Sequence, residues 1–291
     1  MRDTEVVDYY ENTRFDYRVA WLSRNNPAIH FGYYDEKARF HQEALLRLNE
    51  VMADLADIRP GERVLDAGCG LGASSLWLAA ERGARVDGIT PVPGQVREAR
   101  KRAAEAGLGE RVQFDMADYH QTPFPEHSFD VVWACESLCH SPRKSDFYQE
   151  AFRLLKPEGR LVIAEYMRKA RPLDKLQEEL LSQWLKGWAI PDIDTAEEHR
   201  NNAQNAGFEA IDIRDITANT RISHRNLHKQ ARRWWRVGQV LRLLGIRNRI
   251  QHHNHLGALR QFEALEAGGW FYGLVKAVKQ DWTGLTSDIQ D

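Results

Sequence analysis

The 291-residue sequence predicts an α/β fold in which helices cover a doubly wound, mostly parallel seven-stranded sheet. The first observation is a rhythm in the middle of the chain, where short runs rich in β-branched residues alternate with longer segments of helical pattern. The second is a glycine-rich loop that joins the first such run to the first helical segment. This alternation is typical of parallel strands joined by crossover helices.

Turn and capping residues set the expected bounds of the elements. Gly83 and Gly107 stop two helices, predicted over 71–82 and 94–106. The run from Thr195 to Glu198 is a capping box, which predicts a helix that ends at Gly207. We expect strands over residues 63–67, 85–89, 112–115, 129–134, 160–166 and 208–216, with the last strand over 270–279.

Three helical, aromatic-rich segments lie outside this rhythm. Residues 1–58 are predicted to form an N-terminal helical lid, and residues 168–194 and 217–269 are predicted to be helical caps over the substrate. They surround a predicted cofactor-binding core over 59–167. Because we find no repeat and no low-complexity linker, we expect 1–291 to be a single domain.

The composition is that of an ordinary globular protein, with 43% hydrophobic and 28% charged residues. A net charge of −2 gives no reason to expect nucleic-acid binding. No apolar run spans a bilayer and the first residues lack a signal-peptide pattern, so we expect a cytoplasmic protein without integral membrane association. Peripheral contact and the oligomeric state remain open. The three cysteines Cys69, Cys135 and Cys139 lack metal-ligand spacing, which predicts reduced thiols and no metal site.

The glycine-rich loop over residues 66–72 indicates a ligand site, since glycines let the backbone approach a ligand and the following helix offers free amides. Nicotinamide and flavin enzymes use a similar turn. Asp66, before the first glycine, suits a cationic ligand better than a pyrophosphate. The second strand ends at Thr90, where a dinucleotide enzyme carries an acid. Asp87 lies inside that strand and leaves an oxidoreductase as a remote alternative.

Four motifs in order carry a family resemblance over residues 60–168. Residues 66–72 resemble the first motif of class I S-adenosylmethionine-dependent methyltransferases, which have a Rossmann-like fold. Residues 88–95 are similar to the matching stretch of sterol, tocopherol and natural-product sugar methyltransferases, and residues 114–118 and 154–161 resemble two later motifs. The resemblance implies S-adenosylmethionine as cofactor. The implied binding residues are Asp66, Gly68, Gly70, Thr90, Gln95, Asp118, Tyr119, Cys135 and Tyr33.

The segment over residues 133–142 resembles the family stretch that carries a glutamate, a serine and a histidine before a proline. His140 matches a catalytic base of some sugar O-methyltransferases, and an imidazole suits proton removal near neutral pH. Its alternative is a loop histidine that shapes the pocket. Glu136 either stabilises a carbocation or binds a backbone amide. Glu165 is expected to orient His140, to bind substrate, or to hold a partner in the sheet edge.

The caps supply candidate substrate contacts. Residues 30–34 resemble the histidine-glycine-tyrosine stretch of the family's lid. Between Arg221 and Arg260 there are ten lysines and arginines and no acid, with Arg232, Arg233 and Arg236 around two tryptophans. These cations are either a solvated face, or they bind an anionic acceptor group or an anionic membrane surface. The candidate substrate residues are His30, Tyr34, Tyr166, Trp188, Trp234 and Trp235.

The sequence therefore predicts methyl transfer to a small, apolar metabolite of the isoprenoid, polyketide or alkaloid type. Carbon is slightly preferred over oxygen and nitrogen as the atom methylated, because the Thr90 to Gln95 stretch is similar to that of the sterol and tocopherol enzymes. The alternative is a natural-product cyclase that keeps the cofactor as a structural element. A regulatory protein with a degenerate site is disfavoured by the intact motifs.

Overall fold

The computed structural model describes residues 3–20 and 27–280, and its centre is one seven-stranded sheet. The strands are β1 Arg63–Ala67, β2 Arg85–Thr90, β3 Val112–Met116, β4 Phe129–Cys135, β5 Leu155–Arg168, β6 Glu209–Asp215 and β7 Trp270–Val278. Their order is β3-β2-β1-β4-β5-β7-β6, and only β7 runs antiparallel to its neighbours. The predicted doubly wound, mostly parallel sheet is confirmed.

Helices surround this sheet and also fill the three segments outside the core. They are α1 Asp3–Ala20, α2 His41–Leu55, α3 Ala73–Glu81, α4 Pro93–Glu105, α5 Lys144–Leu154, α6 Lys175–Gly187, α7 Ala196–Ala206, α8 Thr217–Leu243 and α9 Arg249–Glu266, with a short 3-10 helix at Leu138–His140. Within the described residues, none of them is both long and apolar enough to cross a membrane.

Most predicted bounds agree with the structure to within one or two residues. The capping box is present, because the Thr195 side chain accepts from the Glu198 amide and Gly207 takes a φ of 102° at the end of α7. β5 begins five residues earlier than predicted, at Leu155, because this residue already pairs with Phe129 before the turn. That turn therefore lies within the strand, and Glu158 adopts a φ of 61° to form it.

The core lies on both faces of the sheet. Along β4, Val131 and Trp133 belong to one apolar cluster while Val132 and Ala134 belong to the other, as the alternation of a strand requires. α6 packs closely on α9 because Gly187 and Gly257 meet at the crossing, where a Cβ at Gly257 would overlap the Trp188 ring. That 1–58, 168–194 and 217–269 act as a lid and caps stays a prediction.

Candidate functional site

A cavity of about 1140 Å³ opens at the carboxyl ends of the parallel strands. β1 and β4 are neighbours there although β2 and β3 lie between them in the chain, so this is the point where the strand order reverses. Open α/β sheets bind their ligands at such a point. Residues of α1, α8 and α9 complete the wall, which is more apolar than polar. One cavity therefore joins the sheet edge to the helices outside the core.

The loop after β1 presents bare backbone to this cavity. Gly68 takes a φ of 93°, and a Cβ there would overlap the Ser137 side chain. Gly70 takes a φ of 53° and faces open space, with only the Ile29 side chain near the position of a Cβ. Helix α3 begins at Ala73, two residues later than predicted, because this left-handed backbone cannot join a helix. The backbone here is free to approach a ligand.

Asp66 is a buried carboxyl at the end of β1. It accepts a hydrogen bond of 2.5 Å from the Ser75 hydroxyl, and burial raises its pKa to about 6. No cation pairs with it in the part of the chain that the structure describes. A bound ammonium or sulfonium would favour the charged carboxylate, so the residue fits a cationic ligand.

Polar groups at the ends of β2 and β3 suit a nucleoside. The Thr90 hydroxyl donates to Gln95 Oε1 over 2.7 Å, and both side chains line the cavity. Asp118 Oδ1 accepts from the backbone amide of His120 over 2.9 Å and from its Nδ1 over 2.6 Å. The remaining ring nitrogen of His120 lies 2.7 Å from the Ser141 hydroxyl. His120, which the sequence did not single out, thus holds the carboxylate expected to bind the adenine amine.

Three other positions bear on the cofactor. Tyr119 lines the cavity and donates from its hydroxyl to the Ser137 carbonyl over 3.1 Å, and Cys135 lies in the wall beside it. Asp87, the residue that left an oxidoreductase open, instead pairs with Arg63 at 2.8 Å and does not line the cavity.

Glu136 lies at the floor of the cavity and receives three hydrogen bonds. Its Oε1 accepts from the Phe31 amide and from the Tyr272 hydroxyl, both over 2.6 Å, and its Oε2 accepts from the Tyr166 hydroxyl. Burial raises the pKa of this carboxyl to about 7 despite the three donors. Glu136 takes a φ of 50° just after β4, a strained conformation for a residue with a Cβ.

His140 ends the short helix after β4. Its Nδ1 lies 3.3 Å from the Ala189 carbonyl, and its Nε2 lies 3.1 Å from the Tyr10 hydroxyl. A carbonyl only accepts, so we assign the ring proton to Nδ1, which leaves Nε2 with a lone pair that accepts from Tyr10. Burial lowers the pKa of His140 to about 4, so the ring is neutral at physiological pH. It has the tautomer that a proton acceptor requires, but burial makes it less basic than the near-neutral imidazole expected from the sequence.

Glu165 does not take the position that the sequence suggested. Its side chain is fully buried and accepts from the Cys139 amide over 2.7 Å and from the Tyr166 amide over 2.9 Å. It neither bonds the ring of His140 nor lines the cavity. Of the three expected roles, the structure supports a partner in the sheet edge. Glu165 fixes the backbone next to His140.

The structure also corrects three aromatic assignments, because none of these side chains lines the cavity. The amides of Tyr33 and Tyr34 bond to the Ala44 and Asn219 carbonyls, which holds this stretch between α2 and α8. Trp235 follows Trp234 by one position, which turns it by about 100° around the helix. It packs on His252 and His255 of α9, whose ring centroids lie 5.5 and 5.1 Å away.

The other predicted substrate residues line the cavity. Tyr166 and Trp188 form one wall together with Phe31, which the sequence did not single out, and the three ring centroids lie 6.2 to 6.5 Å apart. His30 also lines the cavity, and its Nδ1 donates to the Phe31 carbonyl over 2.9 Å, with a pKa lowered by burial to about 4. Trp234 lies nearer the mouth and is half exposed.

Of the ten lysines and arginines between Arg221 and Arg260, one reaches the cavity. Arg247 lines it and pairs with Asp16 of α1 at 2.6 Å. Arg232, Arg233 and Arg236 are exposed and do not line it, so the expectation that they contact an acceptor inside the site is corrected. Sequence reasoning also missed Tyr10, whose signal was the aromatic pair in the N-terminal helix.

Comparison with known proteins decides the family. A family model described as a methyltransferase domain matches residues 65–163. The methyltransferase GfsG of Streptomyces halstedii is 32% identical over 223 residues, which cover 75% of this chain and 77% of that protein. The chain belongs to this family of methyltransferases. S-adenosylmethionine is its cofactor, and Asp66, the Gly68 to Gly70 backbone and Asp118, which the sequence predicts to bind it, all line the cavity.

Other relatives of this methyltransferase differ in what their names describe. The 27-O-demethylrifamycin SV methyltransferase of Amycolatopsis mediterranei is 34% identical over 196 residues, 67% of this chain and 71% of that protein. Plant proteins named 24-methylenesterol C-methyltransferase and tocopherol O-methyltransferase are also relatives. Among solved structures, the [4+2]-cyclase SpnF is 25% identical with a TM-score of 0.78, and the match covers 96% of this chain and 97% of that one.

Proposed function

We propose that this methyltransferase transfers a methyl group to a small, apolar metabolite of the isoprenoid, polyketide or alkaloid type. The observation that carries the proposal is the cavity itself. At about 1140 Å³ it has room for a second molecule of drug size beside the cofactor, and its wall is more apolar than polar. Two of its polar residues, Glu136 and His140, follow β4 and so lie at the inner end, next to the sheet.

The chain's own residues orient and protect the reaction. Methyl transfer from the bound cofactor is an in-line displacement, so alignment of the acceptor is the main requirement. The Phe31, Tyr166 and Trp188 rings exclude water and hold an apolar acceptor against the floor. His140 Nε2 accepts the proton of a hydroxyl acceptor, after Tyr10 yields its hydrogen bond. A positioned base of this kind contributes ~10²–10⁴-fold in rate.

We favour carbon as the atom methylated. Methylation of an alkene forms a C–C bond at one carbon and leaves a carbocation at the other. Aromatic faces and the ionised form of Glu136 stabilise this cation until it loses a proton, which the carboxylate accepts. Glu136 accepts from the Tyr166 and Tyr272 hydroxyls, and the Tyr166 and Phe31 rings line the same cavity, so a carboxyl and aromatic side chains lie close together there. Relatives named for oxygen and for carbon methylation both exist, and therefore the acceptor atom requires its own test.

The experiment is incubation with methyl-labelled S-adenosylmethionine and two acceptor panels, one of prenyl alkenes without a hydroxyl group and one of phenolic polyketides. Label transfer to an alkene, retained in His140→Ala and lost in Glu136→Gln, supports carbon methylation. Transfer only to the phenols, with the opposite dependence on the two variants, establishes oxygen methylation and overturns our preference. No transfer to either panel overturns the acceptor class.

A cyclase is the second candidate function, and the likeness to the [4+2]-cyclase SpnF favours it. A cyclase product has the same mass as its substrate, whereas a methylated product is heavier by one CH₂ group. Mass spectrometry of the products, with the yield of S-adenosylhomocysteine measured alongside, separates the two. A product that is an isomer of the substrate, formed without S-adenosylhomocysteine, would show that the protein is a cyclase and does not transfer a methyl group.

A further inference from the structure

The far end of α8 and the turn that follows it leave large aliphatic side chains mostly exposed. Leu243 is 87% exposed, Leu244 and Ile246 are each 66% exposed, and Val240 is 54% exposed. Large aliphatic side chains grouped in this way on a surface indicate a docking site. Trp234, Val237 and Leu241 of the same helix line the cavity, so the apolar surface runs from the cavity mouth to the helix end.

Cations flank this apolar stripe. Of the ten lysines and arginines between 221 and 260, three form ion pairs, namely Arg221 with Glu266, Arg247 with Asp16 and Arg260 with Glu263. The other seven are exposed and form no ion pair with any residue in 3–20 or 27–280. They are Arg225, Lys229, Arg232, Arg233, Arg236, Arg242 and Arg249.

The helix period places most of these residues in two adjoining stripes, with Arg233 on the aliphatic row and Leu243 on the row of cations. Val237 and Val240 stand three positions apart on one face of α8, and Leu244, four positions further on, continues that row just past the helix end. Arg225, Lys229, Arg232 and Arg236 repeat at the same intervals and form the next face around the helix. A helix with an aliphatic stripe edged by cations is the form that lies in the headgroup region of an anionic bilayer.

We propose that the end of α8, from Arg232 to Ile246, docks this methyltransferase on the surface of an anionic lipid bilayer. The cations bind the headgroups and the aliphatic stripe enters the boundary with the acyl chains. The cavity mouth then faces the bilayer, and an apolar acceptor reaches it without crossing water. This last step rests on the proposed function, whereas docking itself does not.

Charge argues against the two other occupants of such a surface. A second copy of the chain, packed face to face, would place the seven unpaired cations of each copy against those of the other, and like charges repel. An acidic protein partner would satisfy the cations. Pairing with the cations would not, however, account for the exposed aliphatic side chains of Leu243 and Leu244 at the helix end.

Vesicle sedimentation tests the proposal with the full chain and no acceptor. We expect binding to vesicles of phosphatidylserine and phosphatidylcholine that falls with salt, and at least ~10-fold weaker binding to phosphatidylcholine alone. Two multiple variants should each weaken binding at least ~10-fold: the double variant Leu243→Gln/Leu244→Gln and the triple variant Arg232→Gln/Arg233→Gln/Arg236→Gln. The matched controls change exposed residues on other elements. They are Leu176→Gln for the aliphatic variant and Arg85→Gln/Arg97→Gln/Lys175→Gln for the arginine variant.

Calorimetry of S-adenosylhomocysteine binding shows that each variant is folded, since none of these residues lines the cavity. No binding of the wild type to anionic vesicles overturns the proposal, as does an equal loss in the control variants. Binding that depends on the arginines but not on the leucines also overturns it, because the protein then adsorbs by charge alone and the aliphatic side chains do not enter the bilayer. Methyl transfer to a water-soluble acceptor can persist in each of these cases, so failure here is distinct from failure of the proposed function.

Discussion

Replacement of Glu136 by glutamine tests whether the floor of the site holds a neutral carboxyl. The wild-type side chain is buried and accepts from the Phe31 amide and from two tyrosine hydroxyls. A glutamine has the same shape, and its carbonyl oxygen keeps the Phe31 and Tyr272 hydrogen bonds. The Tyr166 hydroxyl then accepts from the amide instead of donating. The substitution therefore removes the titration and keeps the packing.

The sign of the pH dependence of stability follows from which state, folded or unfolded, binds the Glu136 proton more tightly. Burial raises the pKa of Glu136 to about 7 in the folded protein, from an ordinary value of 4.5. Between these two values the unfolded chain ionises and the folded chain does not, so the free energy of unfolding falls as the pH rises through this window. At ~1.36 kcal/mol for each pH unit, the full gap corresponds to ~3 kcal/mol.

The assay is urea unfolding of wild type and Glu136→Gln at about pH 5 and about pH 8.5. The stability of the variant relative to wild type should rise by ~2 to 3 kcal/mol from the lower pH to the higher. The buried carboxyls of Asp66 and Glu165 titrate in both proteins. Because the Glu136 charge adds to burial in raising the pKa of Glu165, the comparison is repeated in a Glu165→Gln background to isolate Glu136. Glu110→Gln, at an exposed position, is the control. A difference that does not change with pH would refute the argument from burial.

Three further predictions concern the site. His140→Ala should lower turnover ~10²-fold or more while the affinity for S-adenosylmethionine stays within a few-fold, and Tyr10→Phe should keep most turnover; unchanged turnover in His140→Ala at saturating acceptor excludes it as the base. Asp118→Ala should weaken binding of both S-adenosylmethionine and S-adenosylhomocysteine ~10-fold by calorimetry, and His120→Ala should weaken it less; equal affinity in Asp118→Ala would contradict the adenine assignment. Gly68→Ala should abolish binding of both ligands without unfolding the chain, because a Cβ meets Ser137; circular dichroism and calorimetry together decide it.

The core of the fold could be predicted because its signals are local. The alternation of strand and helix patterns located all seven strands, and the bounds of β1 and β7 agree with the expected ranges to within one residue. The Thr195 capping box and Gly207 set the ends of α7. The start of β5 was placed wrongly because the pairing of Leu155 with Phe129 depends on a distant strand.

The site residues also divide into those that local sequence signals could predict and those that they could not. Asp66, Thr90 and Asp118 line one cavity, as the sequence predicted, because each lies at or just past the carboxyl end of a parallel strand and these ends meet at one edge. Tyr33, Tyr34 and Trp235 were placed in the site wrongly. Which face of a helix or loop meets a cavity depends on packing against α2, α8 and α9, and one position of rotation moves Trp235 away while Trp234 stays.

The sequence by itself determined the sheet, the glycine loop and the family of the chain, because strand periodicity, turn residues and motif spacing are properties of neighbouring residues. Only the tertiary structure decided the chemistry within the site. Burial makes Glu136 a carboxyl with a pKa of about 7 and His140 a neutral ring, and both depend on partners more than forty residues away in the chain. Desolvation is a property of the assembled fold, so no local pattern encodes it.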